Sequence, residues 1–494
     1  AHEQSLFLAR DPLGIKPLYY CHDGTRLLFA SELNGLLASG LVRAELDEVS
    51  VSDYLAWLAV PAPRTIYRDV YSLRPGEWAQ WRGNQLAVRS AWSFSAIPPA
   101  ARACRTRTEF IGELRERLDD SVRAHVVADV PVGAFLSGGL DSAAVVGLMT
   151  QHGGSSLRTF SIGFEEAGFS ETNEAEATAH HYGTEHRTSV LTGGEVARDL
   201  EKLLHAYDQP TGDGLNTYYA SQAARAGGVT VALSGLGGDE LFGGYQSFRD
   251  TPRIARWLPP WRAVPRPIRA AVVSHLQRGD TRRRKLADVL QHARNLQEVG
   301  SLQRQVFSEI SRRALLQADV AKSLGRNTTY HPALGLMTSD LIGSGPFEVV
   351  SAWELRTYMA DVLLRDSDVM SMRHSLELRV PLVDRPLIEW LWRQPAELKA
   401  DPHHAKSALA EALQDLLPPA LAQRRKRGFS LPFALWMKRE LRPFLNETFS
   451  DGSIDRSGLL DRAGVQQLWR SFLQGSDTRQ WSRVWSLAVL VAFA

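Results

Sequence analysis

The chain has 494 residues, of which 44% are hydrophobic and 23% charged, and its formal net charge is +2. This length suggests two or three domains, and the composition is that of an ordinary globular protein. The near-even charge balance gives no global field toward nucleic acid, and no uncharged apolar run is long enough to span a bilayer.

Residues 1–92 are rich in short strand signals. SLFLAR, LYYC, RLLFA and EWAQW are separated by the turn pieces DPLG, HDG, RPG and RGN, which predicts a small β-rich unit. Ala1 is not a start methionine, no signal peptide opens the chain, and a strand-like run begins at once, so the sequence reads as a fragment or a processed chain. Cys21 and Cys104 lie far apart without metal-ligand spacing, which fits a reducing cytoplasm. The polar, Pro/Ala-bearing stretch 93–108 reads as a linker.

From residue 109 onward helices and strands alternate. Phe110, Leu114, Leu118 and Val122 recur on one side of a predicted helix over 109–127. VPVGAFL (130–136) reads as a buried strand and AAVVGLMTQ (143–151) as a helix, with Asp141 and Ser142 as capping types ahead of it. Strands are also expected at 157–164 and 229–235, with a helix over EAEATAHHYG between them. This alternation predicts a parallel sheet covered by helices, followed from residue 249 by a mainly helical region.

Between the first strand and its helix lies LSGGLDS (136–142). A glycine turn leading into a helix can present backbone N–H groups to an anion, and the serines add donors. Asp141 would repel a phosphate unless a divalent cation lies between them. The loop is not a Walker loop, because no lysine follows its glycines; an ordinary βα turn is the alternative. VALSGLGGDELFGGY (231–245) repeats the same logic. Both loops follow strands, so both can face one ligand at the carboxyl end of a sheet, with Asp141 and Asp239 sharing Mg²⁺ on the phosphates of ATP.

Two other features invite readings. Residues 249–285 are strongly basic, with Trp257, Trp261 and RRRK at 282–285. Lipid or nucleic-acid binding is one reading; the preferred one is a solvated helical excursion, since Pro259, Pro260, Pro265 and Pro267 should break any long amphipathic helix. His180, His181 and His186 lack acidic or cysteine partners at convincing ligand spacing, so they are expected in a helix and the start of a strand rather than at a metal.

SGGLDS together with SGLGGDELFGGY resembles the synthetase domain of glutamine-dependent asparagine synthetases. LARDPLGIKPLYY, LLFASEL and LRPGEW are similar to the later part of that family's glutaminase domain. LLRDSDVMSMRHSLELRVPLVD and KRGFSLPFALW resemble its C-terminal helical motifs. The similarity runs in order along nearly the whole chain. It implies part of an Ntn-type α+β glutaminase domain over 1–92, a linker over 93–108, and over 109–494 an α/β parallel-sheet ATP-pyrophosphatase domain (adenine nucleotide α-hydrolase-like) with a mainly helical C-terminal part.

The resemblance further implies a ligase that adenylates a carboxylate, aspartate first, releases pyrophosphate, and passes ammonia to the acyl-adenylate. Leu136, Ile162, Ser234 and Gly235 would contact the nucleoside. Ser137, Gly138, Gly139, Asp141 and Ser142 would hold pyrophosphate, and Asp239 would join Asp141 at Mg²⁺. Lys426 resembles the family's lysine near the phosphates, the alternative being a surface lysine in the basic run RRKR (424–427). Asp366 and Asp368 either organise the substrate pocket or pair with Arg365 and Arg373, while Glu377 and Arg379 read as structural pairs. Small-molecule substrates, no nucleic acid, a cytoplasmic location and a possible homodimer are the implied setting.

The sequence departs from the family's pattern in two places. The catalytic N-terminal cysteine and the motifs that should precede this region are absent, so this chain alone is expected not to hydrolyse glutamine, and the remaining strands are expected to have unpaired edges and an exposed face. Leu236 stands where the family usually carries glutamate, in S-G-E-G, and a leucine cannot take a proton; Asp239 and Glu240 remain as possible substitutes. This change keeps open a relative that acts on another carboxylate or an internal amine, as in β-lactam or macrolactam formation. A degenerate, non-catalytic ATP-binding subunit is the third reading.

Overall fold

The computed structural model describes residues 5–98, 103–152, 157–166, 168–325, 330–401, 404–422, 431–475 and 480–494. In the N-terminal unit, β1 (Ser5–Ala9), β5 (Glu77–Arg82) and β6 (Gln85–Ser90) form one antiparallel sheet in the order β1-β5-β6. β2 (Tyr19–His22), β3 (Leu27–Ala30) and β4 (Tyr71–Ser72) form a second, in the order β3-β2-β4. Four of these strands match the sequence expectation. The unit also holds two helices that periodicity does not reveal, Leu33–Ala38 and Glu48–Trp57. The second is buried nearly all round, so it has no polar stripe to betray it. Its start is set by Asp47, whose carboxylate accepts from Ser50 N–H at 2.8 Å.

The central sheet is wholly parallel. It contains β7 (Val132–Phe135), β8 (Arg158–Phe164), β9 (Glu185–Leu191), β10 (Val231–Leu233) and β11 (Glu377–Arg379) in the order β11-β10-β7-β8-β9. β7 and β10 are neighbours, with Val231 opposite Val132, so the glycine loops that follow them emerge side by side. Helix Arg107–Val126 covers the sheet with Phe110, Leu114, Leu118 and Val122 buried, and Thr106 caps it by accepting from Glu109 N–H. Beyond residue 249 the regular elements of the described chain are helices apart from β11.

The expected linker is not free-running: Phe94, Ile97 and Cys104 are buried in the same core as Phe110 and Val145. The N-terminal unit also shares a core with the C-terminal helix Trp481–Phe493. Tyr54 Oη donates to Ser486 C=O at 2.8 Å, and Asp208 accepts from the N–H groups of Leu33 and Asn34 at 2.8 and 2.9 Å. Burial of this kind, rather than the chain between them, fixes the two parts against each other.

The basic stretch corrects the expectation about its prolines. Helix Ser247–Ala263 runs through Pro252, Pro259 and Pro260. Each proline frees the carbonyl four residues earlier, at Phe248, Ala255 and Arg256, and none of these residues is buried, so water can serve those carbonyls. The break comes at Val264, whose backbone turns extended ahead of Pro265, and a second helix spans Arg266–Gln277.

Candidate active site

The first glycine loop follows β7, and its helix runs Leu140–His152. It begins earlier than the sequence suggests, so Asp141 and Ser142 lie inside the first turn rather than ahead of it. Ser142 instead folds back on the loop. Its Oγ accepts from Ser137 N–H at 3.1 Å, donates to Gly139 C=O at 3.1 Å, and lies 3.0 Å from Ser137 Oγ. Gly139 N–H in turn donates to Ser137 Oγ at 3.2 Å. Two hydroxyls thus converge on the loop's N–H groups, marking the concavity in which an anion's oxygens would be held.

The second loop follows β10, and Ser234 N–H donates to Arg379 C=O at 2.9 Å. Gly235 lies against the first loop: a Cβ there would sit 2.6 Å from Ser142 N and 2.7 Å from Asp141 C. Gly237 has φ +108°, a conformation that favours glycine. Gly238 and Gly244 leave room for the carboxylates of Asp141 and Asp239 respectively. The glycines therefore do more than bend the loops; they let two acidic groups from separate loops approach one point.

That point carries a lysine which sequence reasoning missed. Lys406 Nζ lies 2.5 Å from Asp141 Oδ2 and 2.8 Å from Asp239 Oδ1. Burial pulls its pKa down, but the two carboxylates more than offset this and the net direction is upward. Lys406 holds a positive φ of 58°, unusual for a residue with a side chain, and its N–H donates to Phe242 C=O at 3.1 Å. No local pattern in PHHAKSALAEAL marks it. Among the described residues no cluster of three or more His, Cys, Asp or Glu could hold a metal ion. A nucleotide-bound Mg²⁺ needs only one or two carboxylates, with phosphates and water completing its shell. Two carboxylates converging on one ammonium fit that donor set.

Glu240 is fully buried, and its Oε1 accepts from Tyr245 Oη at 2.7 Å. Burial pushes its pKa up to about 7. The folded state therefore keeps a proton that the unfolded chain releases near pH 4.5. The contribution of Glu240 to stability is greatest below that value, falls as pH rises toward 7, and is constant above it. The cost amounts to about 3 kcal/mol. Glu240→Gln, whose amide carries no charge to desolvate, is expected to narrow the gap between melting temperatures at pH 5 and pH 8. A variant with the wild-type gap would show that Glu240 is not the group responsible.

The remaining candidates fall in several places. Leu136 and Ile162 are buried on the sheet, so their main chains rather than their side chains could face a base. Asp366 pairs with buried Arg365 at 2.8 Å and accepts from Thr211 Oγ1 at 2.5 Å; Asp368 pairs with Lys16 at 2.5 Å. Arg379 pairs with Glu377 at 2.8 Å and donates to the carbonyls of His125 and Val127. His186 sits between the hydroxyls of Thr159 and Ser161. Lys426 lies outside the described residues. Leu236 borders a cavity of about 440 Å³ walled by Trp57, Trp353 and Tyr358, with Asp213 and Arg304 among its polar groups. Burial, and then Asp366, raise the pKa of Asp213 to about 6.

Comparison with known proteins adds the lineage. The asparagine synthase family model matches residues 113–494, and a glutamine amidotransferase domain model matches residues 1–92. The chain belongs to the asparagine synthase family. It is an enzyme of the ATP-dependent carbon–nitrogen ligase class. It is 30% identical over 462 residues to asparagine synthetase [glutamine-hydrolyzing] 1 of Bacillus subtilis, covering 92% of this chain and 70% of the relative. It is 31% identical over 506 residues to a putative asparagine synthetase of Mycobacterium tuberculosis, covering 99% and 74%. The amidase chry2 of Gibberella zeae is 26% identical over 495 residues, covering 94% and 73%. No helix among the described residues is long and apolar enough to cross a membrane.

Proposed function

We propose that the chain adenylates aspartate with ATP and transfers ammonia to it, giving asparagine, AMP and pyrophosphate, with glutamine as the nitrogen donor in a full-length parent. The observation that carries this reading is the convergence of Asp141 and Asp239, from two glycine loops on adjacent parallel strands, onto the ammonium of Lys406. In this reading a substrate carboxylate oxygen attacks the α-phosphorus, and the bond to pyrophosphate breaks. Ammonia then attacks the acyl carbon, and AMP leaves with the bonding pair.

Ser137, Gly138, Gly139 and Ser142 hold the pyrophosphate through N–H and hydroxyl donors aimed at the charge that grows on it. Main-chain atoms at Leu136, Ile162, Ser234 and Gly235 border the nucleoside. Asp141 and Asp239 are the residues that would hold Mg²⁺, which supplies positive charge to the leaving pyrophosphate when bound. Glu240, largely protonated below pH 7, is a buried proton-holding group behind Asp239. Lys426 belongs to the same proposal by its motif. Free Cys21 and Cys104 suit a reducing compartment such as the cytoplasm, and a homodimer is the assembly in view.

Leu236 and its aromatic-walled cavity favour a second reading, in which a bulkier carboxylate or an organic amine replaces aspartate or ammonia. The test is pyrophosphate release with ATP, Mg²⁺ and ammonium, with and without aspartate, with AMP and asparagine quantified. Aspartate-dependent release with matching asparagine is expected. Release that ignores aspartate, in folded protein that binds ATP, rules aspartate out and leaves the second reading.

A further inference from the structure

The basic stretch takes no part in the site described above. Residues 249–285 hold eleven Lys or Arg, ten of them Arg, against two Asp, whereas the rest of the chain holds 46 basic and 53 acidic residues. The near-neutral total therefore hides a strongly polarised molecule. The stretch folds into helices Ser247–Ala263, Arg266–Gln277 and the start of Thr281–His292. Leu258, Val289 and Ala293 pack with Val299 and Leu302 in a small core of their own. On the outside, Trp257 is 66% exposed and Ile268 54%, with Val272 and Leu286 also exposed. Ile268 and Val272 are four residues apart and so share one helix face.

Beside these helices lies a cleft of about 650 Å³ lined by Arg262, Arg269, Arg294, His292, Glu298 and Tyr330, with Gln291. Among the described residues no carboxylate lies within ion-pair distance of the three arginines. Arg262 donates to Ala293 C=O at 2.7 Å, and Arg269 Nε is buried without a protein partner. Glu298 is engaged locally, accepting from Arg294 N–H at 2.6 Å. The cleft is thus a set of guanidinium forks with spare donors, the geometry suited to phosphate.

We propose that this basic helical stretch docks on a bilayer carrying anionic phospholipid, with Arg262, Arg269 and Arg294 taking headgroup phosphates and the exposed Trp257, Ile268 and Val272 entering the interfacial layer. Exposed arginines supply the long-range attraction to an anionic leaflet, and an exposed tryptophan is suited to the headgroup level. The apolar side chains decide between polyanions. Isoleucine and valine gain nothing from a nucleic-acid backbone, whereas burial among acyl chains removes them from water.

The test is co-sedimentation of the full chain with phosphatidylcholine vesicles, with and without about 30 mol% phosphatidylglycerol, at about 0.1 M salt, where charge still acts across about 10 Å. Binding at least tenfold stronger to the anionic vesicles is expected, lost at about 1 M salt. The variant Arg262→Glu/Arg269→Glu/Arg294→Glu should lose at least tenfold. Trp257→Ala, at an exposed position where folding is not at stake, should also weaken binding, with melting temperature as the control. Equal sedimentation with both vesicle types overturns the proposal. So does a reversed-charge variant that binds like wild type. An RNA oligonucleotide that binds more tightly than the vesicles, unaffected by Trp257→Ala, would also overturn it and assign the face to nucleic acid.

Discussion

Asp141→Ala is expected to lower pyrophosphate release at saturating ATP and Mg²⁺ by at least about 100-fold, the scale on which loss of a preorganised charge-stabilising group is felt. The reason lies in the sign of the charge. Asp141 sits in the first turn of Leu140–His152, among donors suited to phosphate, where a carboxylate by itself opposes an anion. It assists only through a cation, and its Oδ2 already holds one in Lys406 Nζ at 2.5 Å. Binding and turnover should therefore separate. With chelator present, the variant should bind ATP at least as tightly as wild type, because a repulsive charge has gone. With Mg²⁺ present, wild type should gain affinity and rate that the variant does not. Isothermal titration in both conditions, beside the pyrophosphate assay, checks each half. Unchanged turnover would remove Asp141 from the reaction, and loss of ATP binding even with chelator would make its role structural.

What could be read from the sequence was what is local along the chain. Each phosphate-type loop is a contiguous strand, glycine turn and helix, so both were visible, and the four-residue spacing of Phe110, Leu114, Leu118 and Val122 gave the covering helix. Features made by distant contact were hidden. Lys406 reaches Asp141 across 265 positions, and nothing beside it in sequence requires a cation. β11 is three residues long, surrounded by helices, and exists because Val231–Leu233 offers it a parallel edge. Glu48–Trp57 is buried from Ser50 to Ala56, nearly two turns without an exposed residue, so it had no polar period to detect. The proline-rich helix misled for the opposite reason: the local rule was sound, but the carbonyls that its prolines free, at Phe248, Ala255 and Arg256, belong to residues that are not buried and are open to water.

Gly235→Ala should be strongly damaging, because its methyl meets main chain of the first loop rather than side chains. The added carbon would stand 2.6 Å from Ser142 N and 2.7 Å from Asp141 C, and both are main-chain atoms that cannot rotate aside. Ordinary contact requires about 3.5–4 Å, so the loops must part by roughly 1 Å. That separation costs about 1–3 kcal/mol of stability as overpacking, and a misplacement of this size near reacting groups costs on the order of 100-fold in rate. Gly139→Ala provides the contrast within the same site. Its Cβ would meet only Ser137 Oγ, at 3.2 Å, a hydroxyl on a side chain that can turn. It should cost about tenfold, less than Gly235→Ala, since a side-chain hydroxyl can rotate where main chain cannot, though it gives up its contacts with Gly139 N–H and Ser142 Oγ. The two variants differ only in where one methyl is placed. Equal losses in the pyrophosphate assay would mean that glycine flexibility, and not the approach of the two loops, sets the geometry. A large loss confined to Gly235→Ala would mean that catalysis depends on holding Asp141 and Asp239 against one another, which is the feature that the parallel pairing of β7 and β10 provides.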